Sequence, residues 1–144
     1  MVKNSIQFGT EVYTWYMNEN GRTHSGKLGH MIEITAQAGF KGIEPIHNWM
    51  GDFKDPAKLK DKLAEHQIEL AAVALCLKWN DSTITEDEKR ETAETIEILR
   101  HFPGSLLCLV QIPTRRHGVQ LRRKQLLDHL LWTATLAADQ GITS

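Results

Sequence analysis

Gln37-Ala38-Gly39-Phe40, Glu65-His66-Gln67-Ile68 and Asp139-Gln140-Gly141-Ile142 are three versions of one junction, and their recurrence decides the fold. Each closes an amphipathic stretch and enters an apolar position, as the exit of a helix into a strand does. From Phe40 to Ile68 is 28 residues, from Ile68 to Leu106 is 38, and from Leu106 to Ile142 is 36. A mean of about 34 lies close to the roughly 31 residues per unit of a (β/α)8 barrel.

The segments between the junctions have the matching character. Leu28, Met31, Ile32 and Thr35 recur at helical spacing between Lys27 and Ala38, and Gly39 stands where a C-cap belongs. Asp55-Pro56 reads as an N-cap followed by proline in the first helical position, with Leu59, Leu63 and Ala64 as the inner stripe. Thr85-Glu86-Asp87-Glu88 is a capping box, and Ala93, Ile96, Leu99 and Phe102 continue one face. In Leu121–Asp139 the stripe is Leu127, Leu130, Leu131 and Ala134. Strands are expected near residues 5–12, 42–47, 69–77 and 106–112. Pro45 and Pro113 limit the second and fourth, and the third is apolar enough to be covered on both faces.

Strand and helix alternate four times, which predicts an α/β fold with parallel strands in a single domain over 1–144. The expected architecture is a (β/α)4 half of a TIM barrel, truncated before strand five, whose first residues would be Gly141-Ile142-Thr143-Ser144. An open flavodoxin-like sheet is the alternative, but no Gly-rich phosphate turn follows the first strand.

Composition narrows the class. Of 144 residues 41% are hydrophobic and 24% charged, ordinary for a globular domain and outside the disordered or collagen-like range. With 17 basic and 18 acidic residues the net charge is −1, so no basic field suited to nucleic acid exists. No apolar run reaches the roughly 18 residues of a membrane span, and Met1–Thr10 lacks a signal-peptide core, so a cytoplasmic protein is expected. Cys76 and Cys108 sit in apolar runs and read as buried thiols.

The sequence resembles the xylose isomerase-like TIM-barrel superfamily of sugar phosphate isomerases and epimerases. Phe8-Gly9-Thr10-Glu11-Val12-Tyr13-Thr14-Trp15, Ala38-Gly39-Phe40-Lys41-Gly42-Ile43-Glu44, residues 63–70 and Leu109-Val110-Gln111-Ile112-Pro113 carry the resemblance. It implies a sugar or sugar phosphate as ligand. For a full-length relative it also implies a divalent metal (manganese, magnesium or zinc), held by side chains of strands five to eight. Those strands lie outside this sequence, so no metal ligand is assigned to any residue here.

Function in such a barrel gathers where strands end. Glu11, Tyr13, Trp15 and Tyr16 follow the first strand, and Glu44, His47, Asn48 and Trp49 the second. Lys78 and Trp79 follow the third, and Gln111 and Arg115 the fourth. Glu44 and His47 are the candidate catalytic pair, since a carboxylate in an apolar strand must be paired, hydrogen-bonded or protonated. The competing reading ties Glu44 to backbone amides or to Lys78, and makes His47 a loop histidine. Tyr13, Trp15, Lys78, Trp79 and Gln111 are the candidate substrate contacts, aromatic faces and polar groups suited to a sugar. No histidine pair has zinc-ligand spacing. The basic run Arg115-Arg116 with Arg122-Arg123-Lys124 reads first as a solvated face, second as a phosphate contact.

Two functions compete with a sugar isomerase or epimerase half. One is a non-catalytic half-barrel, with a homodimer closing an eight-stranded barrel over the exposed edges. The other is a metal-dependent apurinic endonuclease, which the near-neutral charge disfavours.

Overall fold

A computed structural model of the chain describes residues 7–13, 27–80, 82–111 and 119–144. The three junctions share one backbone solution. Gly39, Gln67 and Gly141 all adopt left-handed φ values, 83°, 54° and 75°. The amide of the next residue reaches back five positions each time: Phe40 to Thr35 at 3.2 Å, Ile68 to Leu63 at 3.0 Å, and Ile142 to Ala137 at 3.0 Å. These are Schellman closures, which satisfy the last helical carbonyls and turn the chain toward the sheet. Gln67 holds the position glycine holds in the other two, and a side chain there carries the left-handed penalty. Gln67→Gly should therefore stabilise the chain by about 0.5 kcal/mol after the extra chain entropy of glycine is subtracted, read as a raised urea midpoint.

Contacts divide the chain into two compact units, Met1–Ala72 and Val73–Ser144. In the first, strands β1 (Gly9–Glu11), β2 (Gly42–Glu44) and β3 (Glu69–Leu70) alternate with helices α1 (Leu28–Gln37) and α2 (Pro56–His66). β2 lies between β1 and β3, parallel to both. Leu28, Met31, Ile32 and Thr35 of α1 are buried, the face their spacing predicts. Asp55 caps α2 by accepting from the Ala57 amide at 2.9 Å, and Leu59 and Leu63 form its inner stripe. Ala64 is exposed, so that stripe is narrower than expected. β2 ends three residues earlier than the expected 42–47, because Pro45 offers no amide to the ladder. The chain then passes through short 3-10 turns, His47–Trp49 and Gly51–Lys54.

In the second unit, β4 (Ala72–Leu77) pairs with β5 (Leu106–Gln111), joined through α3 (Glu86–Arg100), and α4 (Val119–Asp139) follows. The expected single strand 69–77 is divided at Ala71. The Ala71 amide donates to Ile43 at 3.0 Å, the last partner that the short β2 supplies, and the run beyond pairs with β5. All of β4 except Cys76 is buried, as its apolar composition requires. Cys76 and Cys108 are half-buried rather than buried and form no disulfide. Thr143 bridges Leu106 in parallel, with the Leu107 amide donating to the Thr143 carbonyl at 2.8 Å, so strand pairing resumes where the repeat places strand five.

α4 turns a different face inward from the expected one, whereas α3 buries Ile96 and Leu99 of its expected face and adds its threonines to it. α3 buries Thr92, Thr95, Ile96, Ile98 and Leu99 while Ala93 is exposed. The threonine hydroxyls donate to the carbonyls of Glu88 (2.7 Å) and Glu91 (2.8 Å), so they enter the core already satisfied. α4 buries His129, Thr133 and Ala137, and leaves Leu127 and Leu131 54% and 56% exposed. His129 is two residues from each leucine, about 200° around the helix, so the leucine stripe points away from the buried side. Thr133 again donates to a backbone carbonyl, that of His129, at 3.0 Å.

Candidate functional site

The ends of β1 and β2 bring two carboxylates together. Glu11 and Glu44 are partners in the parallel register, which begins at Gly9 opposite Gly42 and runs through Thr10 and Ile43. Close backbone approach at the glycines permits that register: a Cβ on Gly9 would lie 3.1 Å from the Gly42 carbonyl oxygen. Partial burial, and secondarily the charge of Glu44, push the Glu11 carboxyl above its usual range. A raised carboxyl favours the folded chain when protonated. Its contribution is complete below the ordinary glutamate range and is lost as pH rises through the higher folded value. Glu11→Gln should therefore gain thermal stability relative to the parent as pH rises through this window, and the two melting curves should converge in acid. A constant offset across pH would show that Glu11 is not perturbed.

The other candidates in this unit fall around the pair. Val12 is buried and its amide donates to the Glu44 carbonyl at 3.1 Å, while Tyr13 beyond it is 43% exposed. Trp15 lies outside the described residues. His47 opens a 3-10 turn and is fully buried, with Nδ1 3.3 Å from the Asn48 Oδ1. It is therefore a packed histidine rather than an exposed loop residue.

In the second unit one peptide group is held from two sides. The Lys78 carbonyl accepts from the Gln111 carboxamide at 3.3 Å, and the Trp79 amide donates to the Glu88 Oε1 at 2.8 Å. Trp79 has a left-handed φ of 43°, unusual for a bulky side chain and maintained here by these two bonds. Lys78 is exposed, Gln111 half-buried, and Trp79 buried against the His129 ring. Arg123 and Lys124 of the basic run are exposed, and Arg115 and Arg116 lie outside the described residues.

Glu11 enters the site as the partner of Glu44, which the choice of Glu44 and His47 as the reactive pair did not anticipate. Its signal is the repeated Gly-x-Glu of Gly9-Thr10-Glu11 and Gly42-Ile43-Glu44. Glu88 signals only a helix cap in the sequence, and His129 gives no signal at all. Two carboxylates fall short of the several ligands that a catalytic divalent ion needs. Among the described residues no group of three or more His, Cys, Asp or Glu side chains is placed to hold a metal. A cleft of about 670 Å³ along α2 is lined by residues of that helix and of the turn before it, Gly51, Asp52, Phe53, Lys58, Asp61, Lys62 and Glu65, and by neither Glu11 nor Glu44.

The fold is α/β with parallel strands, consistent with half of a TIM barrel. A solved structure described as the probable 3-DHS dehydratase AsbF, involved in petrobactin synthesis, from Bacillus anthracis, matches with a TM-score of 0.65 at 12% identity. The match covers 95% of this chain and 50% of that one, so the chain spans about half the length of this neighbour. No family model matches, and no curated protein does.

Proposed function

We propose that the chain is the substrate-binding half of a cytoplasmic sugar isomerase- or epimerase-like barrel, taking a sugar or sugar phosphate at the strand ends and showing no turnover by itself. The observation that carries this reading is the in-register pair Glu11–Glu44, at the end of the sheet where such barrels place their chemistry. Two carboxyl groups side by side at the strand ends offer hydrogen-bond acceptors to vicinal hydroxyls.

Calorimetry of the chain with D-fructose and D-fructose 6-phosphate, repeated on Glu44→Gln, tests the binding. Saturable binding that Glu44→Gln weakens is the expected result. Manganese should bind weakly, and a ketose epimerisation assay should show no turnover. Tight one-to-one manganese binding with turnover that Glu44→Gln abolishes would show that the chain carries its own metal site.

The second reading, a half-barrel that a second copy closes, draws on the outward leucines Leu127 and Leu131 of α4. It calls for a dimer in sedimentation velocity. A well-folded monomer at about tens of micromolar would rule it out.

A further inference from the structure

Trp79 and His129 meet edge to face just beyond β4, ring centroids 6.1 Å apart and planes at 67°. Trp79 is 6% exposed and His129 3%. The indole Nε1–H and the imidazole Nδ1 are both buried, and neither has a hydrogen-bond partner among the described residues. Folded interiors keep buried polar atoms paired almost without exception. Two orphans on two neighbouring rings each call for a partner, and a single group reaching both would complete them.

The chemistry of the two atoms narrows that group. An indole nitrogen only donates, so the group must accept there. The imidazole accepts at Nδ1 with its proton on Nε2 and donates there with its proton on Nδ1, so a group able both to accept and to donate suits either tautomer. An ammonium group cannot accept from the indole, a carboxylate suits only one of the two imidazole tautomers, and an indole N–H is no metal ligand. A hydroxyl does both through one oxygen. The bond from the Trp79 amide to Glu88 and that from Gln111 to the Lys78 carbonyl fix the peptide from which the indole projects.

We infer that Trp79 and His129 form a subsite for one hydroxyl of a small polyol, its oxygen accepting from the indole N–H and its proton donated to the histidine Nδ1. The subsite lies within the second unit and rests on the reading of the chain as a sugar-binding protein. His129, inside a helix stripe, becomes a specificity residue, and Glu88 and Gln111 become positioning residues for Trp79.

The test is NMR of the nitrogen-15-labelled chain titrated with glycerol, D-xylose and D-fructose. Trp79→Phe identifies the Trp79 indole resonance. That resonance should shift saturably with a sugar. His129→Leu should weaken the binding by up to about tenfold, the worth of one neutral hydrogen bond. His129→Leu should also raise the melting temperature, because it removes a buried orphan; that gain shows the variant is folded. Binding that Glu44→Gln weakens while the indole resonance stays fixed would overturn the subsite and keep the sugar-binding reading. An indole shift with unaltered binding in Glu44→Gln would do the reverse. An indole that no polyol moves and that exchanges magnetisation only with solvent would mean an internal water only, and the subsite falls.

Discussion

Glu88→Ala should cost the chain about 3 kcal/mol of stability, more than loss of a helix cap explains. The Glu88 carboxylate accepts from the Thr85 amide and hydroxyl, each at 3.0 Å, and from the Trp79 amide at 2.8 Å. Bonds to a charged acceptor contribute about 1.5–3 kcal/mol in mutational series, with strong overlap when they share one group. Thr85→Ala separates the two roles. It removes the threonine half of the box, worth about 1 kcal/mol, and leaves the bond from Trp79 to Glu88 intact. The excess of Glu88→Ala over Thr85→Ala in urea unfolding then measures the hold on the loop after β4. Accelerated hydrogen exchange at the Trp79 amide should accompany Glu88→Ala and be absent from Thr85→Ala. Equal losses and equal exchange in the two variants would reduce Glu88 to a cap.

Leu75→Ala should be at least as damaging, at about 3–4 kcal/mol. Leu75 sits in the middle of β4 with no exposure, and both neighbouring strand residues are 1% exposed or are half-buried Cys76. A strand packed on both faces cannot collapse around a lost isobutyl group, so the transfer loss and the cavity add. Leu131→Ala is the contrast. Its side chain is 56% exposed, and its removal should alter stability by no more than about 0.5 kcal/mol. Chemical denaturation of both variants checks the pair, and a large loss at Leu131 would mean that α4 buries its leucines against another surface in solution.

These two leucines also mark where the sequence is legible. The helix ends are written in short-range chemistry: Asp55 before Pro56, the Thr85–Glu88 box, and Gly39 and Gly141 at left-handed exits. A cap depends on residues three or four apart, and a local pattern contains all of them. The inward face of α4 does not yield to the same reading. Leu127 and Leu131 keep helical spacing as well as any core stripe, while His129, Thr133 and Ala137 are chosen by packing and by the back-bond of Thr133. The division of the run 69–77 at Ala71 depends on where β2 ends, a segment nearly thirty residues away in the chain. The site behaves alike. Glu44 stands out as a charge in an apolar strand, but its neighbour Glu11 emerges only from a register between distant strands. His129 acquires meaning only beside Trp79.

The facing glycines Gly9 and Gly42 act as the key of a keyed joint. Each stands two residues before a glutamate, and they align the strands by the space they leave empty. A methyl on Gly42 would lie 3.3 Å from the Ala71 Cβ on its other side, so neither flank has slack. A slip of one residue would exchange Glu44 for Ile43 on the face it shares with Glu11. Two positions with no functional group thus set the alignment of two that have one, and variation at either glycine would be inherited as a change in how Glu11 titrates beside Glu44.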